Sequence, residues 1–189
     1  MNANFYKIFI LCTILFSFTI NAQQKKGEYI NAYLGFGLSA PYDESDVTGS
    51  GFYAQGEYVI ATSKWFSLRP YASIILTSEN KSDNQENQIN YKVTSKAFLL
   101  GGKARVCAPI PYIAPYLETG LGLSIGSFET YTPSTNSSKN GLIMHIPFSI
   151  GLAVGKKHNI DIGFTYYYHQ SAKQFSGATA FGLSFPMNN

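Results

Sequence analysis

The stretch Leu142 to Tyr168, LIMHIPFSIGLAV-GKKH-NIDIGFTYYY, decides how the rest of the chain is read. Its first part places Leu142, Met144, Ile146, Phe148, Ile150, Leu152 and Val154 on one side, with Ile143, His145, Pro147, Ser149, Gly151 and Ala153 between them. That is the period of two of a β-strand. After Gly155-Lys156-Lys157-His158 the alternation resumes, with Ile160, Ile162, Phe164, Tyr166 and Tyr168 opposite Asn159, Asp161, Gly163, Thr165 and Tyr167. Two long strands joined by a tight turn result. One face is bulky and uncharged, the other small or polar, which inverts the pattern of a soluble barrel and suits a barrel standing in lipid.

Working outward, the same rule recurs. Ile30 to Leu38, Phe52 to Ile60, Phe66 to Leu76, Phe98 to Val106, Ile113 to Ile125 and Thr179 to Phe185 each alternate, so the whole predicts eight strands. The connections predicted at 61–64, 109–111 and 155–158 are short, and those at 39–50, 77–90, 127–141 and 169–176 are long and polar. Short turns on the periplasmic side and long loops outside are the asymmetry of an outer-membrane barrel, and they predict that both mature termini are periplasmic. Closure is required, because lipid offers no partner to an unpaired backbone N–H. Pro70, Pro115 and Pro147 each remove a ladder donor, which predicts bulges at those points.

The composition agrees with a lipid-facing wall. Of 189 residues only 13% are charged and 15% are aromatic, against roughly 25% charged in soluble proteins. The formal charge of +3 is too small, and too scattered, for a nucleic-acid footprint. Ile8 to Ile20 is an uncharged apolar run behind Lys7, shorter than the about 20 residues of a spanning helix. It predicts a secretory signal over residues 1–22, cleaved after Ala22, and a barrel domain over 23–189. Apolar residues continue past Cys12, which argues against a lipoprotein site, and Cys107 is then the one cysteine of the mature chain.

The chain resembles the small eight-stranded outer-membrane β-barrels of the OmpA/OmpX type over about residues 28–185. The resemblance rests on the signal, the eight alternating strands, the alternating loop lengths and a last strand ending in Phe185. It implies an all-β, antiparallel up-and-down transmembrane barrel, with outer-membrane lipid and lipopolysaccharide as surroundings, and it transfers no functional residue. The leading expectation is a monomeric, non-enzymatic barrel with no cofactor, which meets extracellular ligands through the four long loops.

Six charges lie on the predicted lumen face: Glu57, Arg69, Lys103, Arg105, Glu118 and Asp161, three of each sign. A hairpin turning about Ser63 would place Glu57 directly opposite Arg69, and Lys103 would face Glu118 similarly. A plug of ion pairs is the expectation, and a narrow ion pore through the same groups is the alternative. A second alternative rests on His169-Gln170-Ser171, which resembles the His-x-Ser element of outer-membrane lipid A deacylases. That resemblance implies a hydrolase using His169 and Ser171, but no Asp or Glu follows in residues 172–189, and both residues continue the lumen face. His145 has no partner at metal-ligand spacing, and Gly35-Phe36-Gly37 is followed by Pro41 and no helix.

Overall fold

A computed structural model of the chain describes residues 26–42, 47–79 and 91–187; the predicted signal lies outside these. Eight strands follow one another: β1 Gly27–Pro41, β2 Gly49–Ala61, β3 Phe66–Glu79, β4 Lys92–Cys107, β5 Ile113–Tyr131, β6 Asn136–Val154, β7 Ile160–His169 and β8 Gln174–Pro186. Each pairs antiparallel with the next, and β8 returns to β1, so the sheet is a closed up-and-down barrel.

The register fixes the size of that barrel. A lateral path leaves β1 at Glu28 and passes Ile60, Leu68, Ala104, Thr119, Phe148, Tyr166 and Gly177 before re-entering β1 at Leu38, ten residues further on. With about 3.3 Å of rise per residue and about 4.8 Å between strands, this stagger tilts the strands by about 40° and sets a backbone radius of about 8 Å. Side chains alone can fill such an interior. The outer face carries exposed Leu34, Phe36, Phe98, Leu117, Leu121, Ile150 and Phe181 among others. Its charged residues stand at the strand ends: Glu28 below, Lys92, Lys96 and Glu129 above.

Three expectations need correction. First, no bulge occurs at the prolines: the register is constant on both sides of Pro70, Pro115 and Pro147. Pairing only lapses beside Pro70 on the β2 side and beside Pro147 on the β5 side, because the missing N–H points there while the opposite edge stays paired. Second, the strands outrun the hydrophobic alternation. The loops expected at 39–50, 127–141 and 169–176 contract to connections at 42–48, 132–135 and 170–173, and much of the one expected at 77–90 lies outside the described residues. Above the bilayer both faces of a strand meet water, so backbone pairing continues without an apolar pattern. Third, Ala61 pairs with Ser67, which centres the second hairpin on Lys64 rather than Ser63. Glu57 therefore faces Tyr71, with Arg69 on the diagonal; Lys103 likewise faces Gly120, and it is Arg105 that stands opposite Glu118.

Candidate functional site: the lumen

The six predicted charges converge in one layer of the lumen, and all are buried. Arg69 Nη1 lies 2.9 Å from Glu57 Oε2, and Lys103 Nζ bridges Glu57 at 2.6 Å and Glu118 at 2.8 Å. Arg105 reaches Glu118 through Nε at 2.5 Å and Asp161 through Nη1 at 2.8 Å. Arg69 is also 3.7 Å from Asp161 and 3.8 Å from Glu118. Every cation thus touches at least two carboxylates, so the charge is shared around a ring rather than paired off. Coulomb attraction in a site of low dielectric offsets desolvation only when geometry of this kind satisfies the groups.

Two tyrosines complete the layer, and no sequence motif marks them. The Tyr33 hydroxyl lies 2.6 Å from Asp161 Oδ2, to which it donates, and accepts from Arg69 at 3.3 Å and Arg105 at 3.1 Å. Its ring lies across Gly182, where a Cβ would collide with it. The Arg105 guanidinium stacks 3.6 Å from the Tyr116 ring centroid; the Tyr116 hydroxyl fills the space over Gly151 and Gly163. Parity alone could have found both, since they share the face that holds the charges. A void of about 10 Å³ remains between this layer and the next, about the size of one water.

Above the charges, Gln55 donates to Glu57 at 2.8 Å, while Tyr53 and Tyr167 share a hydroxyl contact of 2.6 Å. Higher still, Ser124 Oγ sits 2.7 Å from His145 Nδ1 and 2.8 Å from His169 Nε2, and Tyr71 is 2.5 Å from His145 Nε2. Toward the longer connections, Gln174, Thr130, Ser95, Ser176, Ser39 and Thr77 are linked by hydroxyl and amide bonds. His145 therefore has polar partners, as its lumen position implied.

The two residues of the hydrolase alternative stand in different surroundings. His169 is buried on Ser124, while Ser171 is exposed in the 170–173 connection. Among the described residues no group of three His, Cys, Asp or Glu side chains could hold a metal ion. At the opposite end, His158 stands in the β6–β7 turn with a φ of 49°. Burial holds its imidazole below the ordinary value, against a smaller upward pull from the Ile110 backbone and Asp161.

A barrel of eight strands with a stagger of ten can be compared with solved structures. The chain shares its fold with Neisserial surface protein A. The two superpose with a TM-score of 0.55 at 15% identity, covering 86% of this chain and 98% of that one. The attachment invasion locus protein Ail of Yersinia pestis gives a TM-score of 0.49 at 15% identity, covering 85% of this chain and 99% of that one. No protein-family model matches the sequence, and no curated protein matches it.

Proposed function

We infer that this chain is an integral outer-membrane barrel with a plugged lumen, which acts through what it displays on the side of its longer connections. The observation that carries the reading is the pairing of an uncharged apolar outer belt with an inner ring of six buried charges. A soluble barrel would place those faces the other way round. The eight-stranded fold shared with a Neisserial surface protein supports the same assignment.

The finer parts of the reading follow from it. Residues 1–22 direct secretion and are removed, both mature termini face the periplasm, and lipid and lipopolysaccharide surround a monomer. The ion ring blocks conduction, and recognition belongs to the 42–48, 80–91, 132–135 and 170–173 connections with the strand ends beside them. No side chain of this chain is assigned a catalytic role. Carbonate-washed fractionation tests the location: the protein should remain with outer-membrane vesicles, and recovery as a soluble periplasmic protein would overturn the reading.

A further inference from the structure

β6 is longer than its neighbour. It pairs with β5 along Asn136–Val154, but β7 covers only His145–Val154 and ends at His169. The segment Asn136–Met144 thus presents one edge to no strand. In an antiparallel ladder, hydrogen-bonded and non-bonded pairs alternate. Thr132 N–H donates to the Thr135 carbonyl at 2.8 Å, which makes that pair the first bonded one. Ser137 and Lys139 then bond to β5, whereas the backbone N–H and C=O groups of Asn136, Ser138, Asn140 and Leu142 point away from it. The lapse beside Pro147 on the β5 side fits the same parity.

These four residues are exposed, and among the described residues nothing takes their outward backbone groups. Edges of this kind are usually blunted by proline, bulges or covering chain. Here the segment has no proline, and its register with β5 is unbroken. β4 supports β5 as far as Lys92–Tyr131, so the edge belongs to a three-stranded arm rather than to a loose hairpin. Charge narrows the partner. Lys139 on the arm and Lys173 in the connection after β7 are both exposed and form no ion pair among the described residues, in contrast to Lys92, which holds Glu129 at 2.6 Å. The edge side chains Ser138 and Asn140 are small and polar, so affinity must come from the main chain.

We propose that the Asn136–Leu142 edge of β6 docks an extended acidic polypeptide segment as an added strand. This rests on the reading that the arm stands outside the cell. The test uses the full-length mature protein in lipid nanodiscs and a synthetic heptapeptide of alternating Thr and Glu. Amide exchange at Ser138, Asn140 and Leu142 should slow about tenfold or more at saturation, with little change at Ser137 and Lys139, which are already bonded. A peptide of the same sequence N-methylated at every residue, which leaves neither of its edges able to donate, should give no protection. Asn140→Pro should abolish protection, and Lys139→Glu with Lys173→Glu should weaken binding about tenfold. Equal binding of the methylated peptide, or no protection by the plain one, overturns the proposal without depending on any variant folding. Protection that grows with protein concentration in the absence of peptide would assign the edge to a second copy of the chain, and would equally overturn it. Location is tested separately: Ser138→Cys in a Cys107→Ser background should react with an impermeant maleimide on intact cells. A failure there refutes the outside location, whereas a failure in nanodiscs refutes the edge.

Discussion

Removing Glu57 should be among the most damaging single changes in the barrel, and the ring geometry gives the reason. Glu57 accepts from Arg69 at 2.9 Å, Lys103 at 2.6 Å and Gln55 at 2.8 Å. Glu57→Ala leaves three cations against two carboxylates in a buried layer. Breaking a buried pair from one side costs about 3–5 kcal/mol, and Arg69→Ala should cost as much from the other side. The double variant restores neutrality, so its loss should fall short of the sum by about 1–3 kcal/mol. Recovery stays partial, because Lys103 and Gln55 still lack Glu57 and Tyr33 still lacks Arg69. Urea unfolding in detergent micelles, followed through Trp65, the one tryptophan of the chain, measures all four states. Additive losses, or single losses below about 1 kcal/mol, would refute the shared ring.

Reconstituted in planar bilayers, the protein should show no steady conductance, and a stable open level would refute the plug. Gly182→Ala should cost about 1–3 kcal/mol by driving Tyr33 off the carboxylates, whereas Gly56→Ala and Gly102→Ala meet open space on the outer face and should be near neutral in the same unfolding assay. His158 predicts a pH dependence at the β6–β7 turn. Its folded value is depressed, so the stability it contributes is present above the unfolded value of about 6.5 and is lost as pH falls through that value toward the folded one. Protection of the amides of residues 155–159, taken relative to the intrinsic exchange rate at each pH, should therefore fall below about pH 6.5 in the natural chain but not in His158→Asn, which tolerates the same positive φ.

The strand count, the lumen face and the six charges were legible in the sequence because side-chain direction in a strand depends only on parity. Parity says nothing about how far a strand runs once both faces are wet. That is why Asn136–Gly141, polar at nearly every position, reads as loop yet forms the upper part of β6. Register was less legible than parity. The connection Thr62–Trp65 holds four residues and is tied by Ser63 N–H to the Phe66 carbonyl, which shifts the hairpin centre by one and moves Arg69 from opposite Glu57 to the diagonal. Tyr33 and Tyr116 escaped notice for a different reason. Tyrosine is equally at home at a membrane interface, and only the tilt of the strands brings Tyr33, far away in sequence, onto Asp161.

The polar content of the lumen raises the question of whether it could relay protons. A relay needs an unbroken chain of groups that both donate and accept. From the ion ring, Gln55, Tyr53 and Tyr167 form one such segment, and Tyr71, His145, Ser124 and His169 form another. Between them stands the edge of the His145 ring against Tyr167, with centroids 5.3 Å apart and planes at 89°, a packing contact that carries no proton. Phe128 lies against His169 at 4.4 Å on the far side, before the Gln174 layer begins. The segments are also unequal in kind: an amide such as Gln55 cannot pass a proton on without changing its bonding. Most polar side chains here bond to one another within layers, and aromatic contacts separate the layers, so among the described residues the two relay segments do not join.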